Sequence, residues 1–554
     1  MAKFNSKKMP VAPTEVNYMG EKAFKLSDKE ELVSTVMTTF LTDAYYEKET
    51  EVTNRIVKLI DKVDPLFAAK LAIYARNEGK LRSVTHLISA YLAKYISGTD
   101  WGKRFYNKIV IRPDDMSEIL SCYSHMNGSD TKVNKIPNSI KRGFKAALER
   151  LDAYQIDKYK MERRSISLID LVNMFHPKGT QKNEEAYRRL MSGESLDGLY
   201  TSKILEKEMS AAGQKTKGMS KEAKDEAKKE AITEVLDNVK GMPMMNLLRN
   251  LRNIILYAPD KVSDACAQLT TPEKVHNSRL LPFRFATAYS EIEKMTYELK
   301  EPTTSIAFES DRTKIKVSRS EFEKLKTKVL DAIEEALECA CDNIPKLDGN
   351  VAILVNHSGS VRGYAGGHSR VSAFSCTTRA MIGNLFATMV AYRQDNVYIG
   401  LFGDTLISVP IDRSKKLLDF NQESYNIGGR CGGGTETGIY DFLRKVVKEK
   451  KRVDNVIVFS DCQIGSGRGF TPWYGTSYSD RGEHFHELFK EFRKINPQAN
   501  FIVCNLNQSG GTSVFDKSQR ILNIAGWSES IFDIITSNCK GWDVMIKEIE
   551  AIEI

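Results

Sequence analysis

The spacing of apolar residues divides the chain into two regions with different patterns. From residue 15 to residue 345 apolar side chains recur at helical spacing, and few segments alternate with a period of two. The segments with this helical spacing are Glu30–Leu41, Thr53–Glu78, Val84–Ile96 and Ile140–Ala153. Helix boundaries are predicted at Pro65, Pro137, Pro177 and Pro282. So long a succession of short helices favours stacked helical pairs in a solenoid.

The pattern changes at about residue 347, where short apolar runs begin to alternate with helical segments. Buried strands are predicted at Val351–Val355, Val397–Phe402, Asn455–Phe459 and Asn500–Asn505. Helices are predicted at Thr377–Arg393, Thr437–Lys450, Gly482–Ile495 and Ser530–Ile552. This alternation predicts a doubly wound α/β sheet, in which ligands bind beyond the carboxyl ends of the strands.

The length and composition indicate an ordinary globular protein of more than one domain. A chain of 554 residues is too long to fold around a single hydrophobic core. We place a helical domain at residues 12–345 and an α/β domain at 346–554. The segment 205–237, rich in Lys, Glu, Ala and Ser, is interpreted as a charged insertion.

Membrane and zinc-binding classes are not expected. The chain has no apolar stretch of about eighteen residues, and its first residues lack the apolar core of a signal peptide. The nine cysteines are scattered and contain no CxxC pair, so we expect reduced thiols in a cytoplasmic protein.

Positive charge is concentrated in one stretch of the helical region. The chain has a formal net charge of +9, and Thr131–Arg164 alone holds ten basic and four acidic side chains. Such an excess is typical of a surface that binds phosphate backbones. A solvated helical face is the alternative interpretation.

Three loops of the α/β region carry oxygen ligands at predicted strand ends or helix starts. The first strand ends in Asn356-His-Ser-Gly-Ser360, which offers the hydroxyls of Ser358 and Ser360. A glycine-rich loop offers Thr435, and Asp461 follows the strand Asn455–Phe459. Mg²⁺ prefers six oxygen ligands, so these loops predict a divalent-cation site.

The first loop resembles the Asp-x-Ser-x-Ser metal-binding signature of von Willebrand factor A (vWA) domains. That resemblance implies that Ser358, Ser360 and Thr435 ligate the metal directly, with Asp461 acting through bound water. Asn356 stands where the family has aspartate, and the loss of its charge lowers the expected metal affinity. The alternative is a vWA fold whose site has decayed and which serves as a scaffold.

Enzymatic chemistry is not expected at this site. His357 is adjacent to Ser358, but neighbouring loop residues tend to point apart, whereas a nucleophile needs its base within hydrogen-bond reach. The glycine-rich loop also lacks the Gly-Lys-Ser/Thr end of a Walker A motif. A long loop, Gly465–Gly482, mixes aromatic residues with arginines, which suits either base stacking or a self-packed surface loop.

The helical region resembles the TROVE module of Ro60-type RNA-binding proteins. The segments that carry the resemblance are Asn17–Phe24, Arg82–Leu87, Pro137–Arg142, Tyr154–Tyr159, Asp170–Lys178, Met244–Asn253 and Arg279–Phe285. A TROVE module followed by a vWA domain is the full architecture of that family. The resemblance therefore implies a ring of HEAT-like helical repeats joined to a vWA domain.

The resemblance also implies a function and RNA-contacting residues. In the family, Y RNA binds the outer basic surface of the ring, and single-stranded ends of misfolded RNA enter its central hole. The RNA-contacting cluster maps to 158–176. We assign phosphate contacts to Lys158, Lys160, Arg163, Arg164, Lys141, Arg142 and Lys145, and base stacking or phosphate binding to His176. Packing at a helix end is the alternative for His176.

We therefore expect a non-enzymatic protein that scaffolds a Y-RNA-like small noncoding RNA or captures misfolded RNA, as a monomeric ring with an exoribonuclease as a further partner. The alternative function is a cation-dependent adaptor that binds proteins through the vWA metal site. Arg82, His86, Arg249, Arg252 and Arg284 are expected to be structural, with the arginines bonding carbonyls of neighbouring repeats.

Overall fold

The computed structural model describes 388 residues of the chain, in separate ranges. The described ranges are 15–16, 22–25, 27–37, 49–79, 81–128, 135–162, 164–200, 242–297, 318–344, 346–363, 378–434, 436–461, 485–506, 512–513, 520–525 and 542–554. They divide into two compact units. The first contains 1–196, 345–415 and 419–554, and the second contains 197–344 and 416–418.

None of the helices within these ranges is long and apolar enough to cross a bilayer.

The first unit begins with the helices predicted from the apolar spacing. Their bounds are α1 Asp28–Val36, α2 Glu49–Ile60, α3 Pro65–Asn77, α4 Ser83–Leu92, α5 Gly102–Ile109, α6 Pro113–Met126, α7 Asn138–Glu149, α8 Ala153–Lys158, α9 Leu168–Phe175 and α10 Glu184–Ser192. Neighbours along the chain pack together, as α3 does with α4, α4 with α6 and α5 with α7. This local packing is the arrangement expected of stacked helical repeats.

Capping residues explain where these helices begin. Asp64 accepts a hydrogen bond from the backbone N–H of Leu66, and Pro65 occupies the first turn of α3, where no intrahelical donor is lost. Ser167 and Asp170 form a reciprocal capping box at the start of α9. The helix boundary predicted at Pro65 is confirmed, because the helical segment Thr53–Glu78 is interrupted between the end of α2 at Ile60 and the start of α3 at Pro65.

In the described residues of the second unit, the secondary-structure elements are all helices. Its helices are α11 Met244–Tyr257, α12 Val262–Leu269, α13 Pro272–Ser278, α14 Pro282–Glu293 and α15 Arg319–Ala340, with short 3₁₀ turns at Pro259–Lys261 and Cys341–Asn343. The long helix α15 packs against α12, α13 and α14. The predicted insertion at 205–237 lies outside the described residues.

The strands of the α/β region are β3 Val351–Asn356, β4 Val397–Phe402, β5 Leu406–Val409, β6 Asn455–Ser460, β7 Asn500–Asn505 and β9 Ile521–Ala525. They form a six-stranded sheet in the order β5-β4-β3-β6-β7-β9. All neighbouring pairs are parallel except β4 with β5, so the antiparallel strand lies at an edge. A small antiparallel sheet joins β1 Glu15–Val16, β2 Lys22–Lys25 and β8 Thr512–Ser513.

Helices of the α/β region provide the remaining apolar surface of its core. They are α16 Gly359–Arg362, α17 Arg379–Arg393, α18 Leu417–Gly428, α19 Gly438–Glu449, α20 Phe485–Ile495 and α21 Trp542–Glu550. Buried Phe485, Phe489 and Phe492 of α20 pack with Phe501 of β7 in one aromatic cluster. The predicted fold class, a helical-repeat region followed by a doubly wound α/β region, is confirmed. The boundary at 345/346 and the closure of a ring stay predictions.

Candidate metal centre and candidate RNA interface

The sheet brings two of the three predicted metal-site loops side by side. Strands β3 and β6 are parallel neighbours, so their last residues, Asn356 and Ser460, lie at the same end of the sheet. The glycine-rich loop reaches the first loop through the backbone, where the N–H of Gly359 donates to the carbonyl of Gly433 at 2.9 Å. The prediction that these loops converge is therefore supported by the strand register and this contact.

Asn356 holds the centre of the site together. Its amide Nδ2 donates to Oδ1 of Asp461 at 2.9 Å, and its Oδ1 accepts from the backbone N–H of Ser358 at 2.7 Å. Both Asn356 and Asp461 are 0% exposed. The partners fix the orientation of the amide, because an ionised carboxylate only accepts and a backbone N–H only donates. The amide N–H of Asn356 thus forms a hydrogen bond with the carboxylate of Asp461, and this contact does not require a cation between the two side chains.

The two predicted serine ligands converge beside Asp461. The hydroxyl oxygens of Ser358 and Ser360 lie 3.1 Å apart, and the Ser360 hydroxyl donates to Oδ2 of Asp461. Adjacent ligands of octahedral Mg²⁺ lie about 3 Å apart when the metal–oxygen distance is about 2.1 Å. The separation of the hydroxyls therefore fits a hard cation. Thr435, the third predicted ligand, lies outside the described residues.

A second buried carboxylate at the site was missed from the sequence. The Ser460 hydroxyl donates to Oε2 of Glu436 at 2.6 Å, and Glu436 is buried. Its position directly after Thr435 in the glycine-rich loop was the available signal. Within the described ranges, no group of three His, Cys, Asp or Glu side chains converges as a metal site, so the donor set here depends on hydroxyls.

His357 faces away from the serine hydroxyls. Its Nδ1 accepts from Nη1 of Arg362 at 2.6 Å, and its Nε2 lies 3.3 Å from Oδ1 of Asn384. Burial and the adjacent Arg362 lower the pKa of His357 to about 3, against the hydrogen bond to Asn384. The ring is therefore neutral, with Nε2–H as the donor to Asn384. Both ring nitrogens are engaged, which does not suit a general base for Ser358.

In the helical region, the predicted RNA-binding residues of α7 lie at the surface. Lys141 and Arg142 are exposed, and Lys145 is half-buried one turn after Lys141. Helix α7 packs against α9 through the rings of Phe144 and Phe175, whose centroids are 5.6 Å apart. His176, the exposed residue after Phe175, caps α9 in the left-handed conformation with φ 46°. The fold thus places His176 beside the helix that carries the three cations.

Lys158 lies in a cluster of aromatic and cationic side chains. Its Nζ is 5.3 Å from the ring centroid of Tyr154 and 6.0 Å from that of Tyr159, and it donates to the Tyr154 hydroxyl. The guanidinium of Arg112 lies 4.8 Å from the centroid of the Tyr159 ring. These tyrosines were not among the RNA contacts predicted from the sequence, although they flank Lys158 in the chain.

Two of the other predicted RNA contacts, Lys160 and Arg164, have acidic neighbours. Lys160 lies 2.8 Å from a carboxylate oxygen of Asp157, whose side chain is only 1% exposed. Arg164 pairs with Glu118 at the surface. Arg163 lies outside the described residues. Lys160 therefore acts as the counter-ion of the buried Asp157 carboxylate, in addition to its predicted phosphate contact.

Arg82 and His86 belong to a buried charge cluster around Asp115. Asp115 lies 2.9 Å from both Arg76 Nη2 and His86 Nε2, and Arg82 bridges Asp115 and Asp114. Despite desolvation, the contacts with His86 and Arg76 lower the pKa of Asp115 well below its usual range. The structural role predicted for Arg82 and His86 fits this cluster. The partners of Arg82 are carboxylates, however, and not the carbonyls expected from the sequence.

A sequence model of the TROVE domain matches residues 21–233 and 186–349 of the chain, more than half of its length. The curated proteins that match include telomerase protein component 1 of Mus musculus and of Rattus norvegicus, each 23% identical in the aligned region. The mouse alignment covers 44% of this chain and 12% of the relative, and the rat alignment covers 19% and 4%. The chain thus spans a small fraction of the length of these relatives.

Among solved structures, the crystal structure of the Deinococcus radiodurans RO (RSR) protein matches with a TM-score of 0.59 at 15% sequence identity. The superposition covers 92% of this chain and 99% of that protein. At this identity the likeness establishes the fold, and it extends over both the helical and the α/β regions.

Proposed function

Because the chain belongs to the TROVE domain family, whose membership indicates an RNA-binding protein, we propose that it scaffolds a Y-RNA-like small noncoding RNA and captures the ends of misfolded RNA. The observation that carries this proposal is the exposed basic surface of α7 with His176 beside it. Exposed cations gain free energy by releasing counterions from a phosphate backbone, so the surface suits RNA without a covalent step. The protein would act without enzymatic activity.

The cluster around Lys158 supports contact with unpaired nucleotides. Tyr154 and Tyr159 offer aromatic faces, and Lys158 and Arg112 offer charges next to them. Sequence-specific RNA recognition commonly uses unstacked bases that stack on such rings. Lys158, Arg163, Arg164 and His176 would then contact the RNA, with Lys141, Arg142 and Lys145 extending the phosphate-binding surface.

Sequencing the RNA that copurifies with the protein from its native cell tests this function. One dominant structured small RNA is the expected result. A nucleic-acid-free preparation, with an absorbance spectrum of protein alone, would contradict it. An exoribonuclease partner, a monomeric ring and a cytoplasmic location are parts of the same proposal. Copurification followed by mass spectrometry checks the partner, and light scattering checks the monomer.

A second candidate function rests on the α/β site. Ser358, Ser360 and Asp461 present converging oxygens, and Thr435 would complete the set. A bound Mg²⁺ there would supply a Lewis-acidic contact for an acidic side chain of a partner protein. Asn356 would stay in the outer shell, where it orients the Ser358 backbone and Asp461. Pull-down experiments with Mg²⁺ and with EDTA test this adaptor function, which requires that the partner be lost in EDTA.

A further inference from the structure

A cavity of about 220 Å³ opens at the end of the α/β sheet opposite to Asn356 and Asp461. It lies at the amino ends of β3 and β4, where Val351, Ala352, Val397 and Tyr398 form one wall. Strand β5 pairs with β4 only from Ile399 onward, which leaves the first two residues of β4 uncovered at that edge. The register of the sheet therefore creates the opening.

The second wall of the cavity comes from α19 and the loop after it. Phe442 and Val446 contribute apolar surface, and the ring centroids of Phe442 and Tyr398 are 5.7 Å apart. The cavity is larger than the roughly 150 Å³ that holds one benzene, and smaller than typical sites of about 300–1,000 Å³ for drug-sized ligands. Its size suits one ring system.

Two ammonium groups lie at the mouth of this apolar cavity. Lys445 Nζ is 5.3 Å and Lys451 Nζ is 5.5 Å from the ring centroid of Tyr398. Among the described residues neither lysine has a carboxylate within ion-pair distance, whereas Arg452 at the same mouth pairs with Asp454. The mouth therefore attracts an anionic group next to an apolar slot.

Two asparagines among the residues that line the cavity are suited to contact the edge of a base. Asn350 and Asn396 both line the cavity, and the backbone carbonyl of Asn396 is engaged by the N–H of Val351. Asparagine amides carry both a donor and an acceptor, which is how they pair with base edges. An aromatic wall, amide edges and two cations at the mouth are together the elements of a single-nucleotide site.

We propose that this cavity binds one unpaired nucleotide of RNA, with the base in the slot beside Tyr398 and the phosphate at Lys445 and Lys451. This inference rests on the proposed RNA-binding function and adds a contact in the α/β region that is separate from the basic surface of α7. It also differs from the metal site, which occupies the other end of the same sheet. The contact would hold a single-stranded segment, since a paired base is not available to enter the slot.

The test is titration of the full chain with adenosine, uridine, cytidine and guanosine monophosphates, followed by saturation-transfer NMR. At least one monophosphate should bind, with its base protons receiving the strongest saturation. The double variant Lys445→Ala, Lys451→Ala should weaken this binding at least about tenfold. Lys448→Ala, an exposed lysine of the same helix that does not line the cavity, should leave it unchanged.

Val446→Phe gives an independent readout because the larger ring fills the slot and should abolish binding. If this variant fails to fold, as a melting curve will reveal, the lysine variants still decide the question. No binding by any monophosphate at millimolar concentration overturns the inference. Equal competition by inorganic phosphate or by benzoate also overturns it, since that indicates a simple anion site or an unspecific apolar slot.

The outcomes separate this inference from the proposed function. RNA recovered from the native cell together with no monophosphate binding would remove the cavity site and leave the function standing. If the protein is free of cellular RNA but binds a monophosphate in a way that depends on Lys445 and Lys451, the cavity site stands and the proposed function is contradicted.

Discussion

Two buried aspartates, one in each region of the molecule, differ in the groups that surround them. Asp115 of the helical region is 0% exposed and lies against the cations Arg76 and Arg82, with His86 as a further partner. Asp461 of the α/β region is equally buried, but its hydrogen-bond partners among the described residues are the neutral Asn356 and Ser360.

The difference separates a structural carboxylate from one that can accept a ligand. A buried charge needs compensation, and fixed arginines provide it fully for Asp115. Neutral donors compensate a carboxylate only in part, so a cation that reaches Asp461 still gains electrostatic free energy. The first cluster therefore stabilises the helical repeats, and the second is the one to which we assign the proposed cation.

The largest expected effect is at Asp115. Asp115→Ala should lower the free energy of unfolding by about 3–5 kcal/mol, because buried Arg76 loses its counter-ion. Chemical denaturation measures the change. Asp100→Ala is the matched control, since Asp100 pairs with Arg104 at the surface, and it should cost under about 1 kcal/mol. Equal effects for the two variants would contradict the structural role of the cluster.

Asn356→Asp should convert the α/β site into one that requires a cation. The new carboxylate would face Asp461 across the 2.9 Å contact, and the unfolding free energy in EDTA should fall by about 2–4 kcal/mol. Mg²⁺ should restore much of this loss by binding the folded state. Thermal melts with EDTA and with Mg²⁺ measure both effects. A variant that melts like the original protein in EDTA would refute this interpretation of Asn356.

His357 should make the α/β region sensitive to acid. Its folded pKa of about 3 lies below the usual value of about 6.5, so between these values the unfolded chain binds more protons. Stability should therefore decrease as the pH falls from 6.5 toward 3, by about 2 kcal/mol at pH 5. His357→Gln, which cannot titrate, should have a flatter stability profile between pH 7 and pH 5. The same slope in both proteins would contradict a neutral buried His357.

Replacing Lys160 and replacing Lys141 should affect the stability of the protein differently, although both residues are predicted to contact RNA. Lys160→Ala leaves the buried Asp157 without its cation and should cost about 1–3 kcal/mol. Lys141→Ala removes an exposed cation and should change stability by less than about 0.5 kcal/mol. Urea denaturation of the two variants measures the difference. A cost at Lys141 as large as that at Lys160 would be inconsistent with these surroundings.

The sequence predicted the parts of the fold that have strong local patterns. The apolar runs Val351–Val355 and Asn500–Asn505 are strands, because a strand buried on both faces is apolar throughout. It did not predict β5 or β9, which are apolar segments of only four and five residues, or helix α18, which begins at Leu417. Apolar runs this short do not show whether the segment is a strand, a helix or a buried loop.

The candidate sites were predictable to a similar extent. Motif spacing located Ser358, Ser360 and Asp461, but the contact between Asn356 and Asp461 arises from the pairing of β3 with β6, which are far apart in the chain. Likewise, the basic excess located Lys158 and Lys160, but only the fold places Lys160 beside buried Asp157. Charge patterns in a sequence do not reveal which cations are already neutralised.

RNA binding through the basic surface of the helical region is tested most directly by the salt dependence of RNA affinity in the presence of EDTA. The probe is a small hairpin RNA with a single-stranded 3′ tail, bound to the original protein, to Lys158→Ala/Arg163→Ala/Arg164→Ala, or to a control with Lys324, Lys448 and Lys490 changed to Ala. We expect the first triple variant to bind the RNA more weakly, and its slope of log affinity against log salt to be smaller by about two to three. Affinity and slope equal to those of the control would contradict RNA binding through this surface.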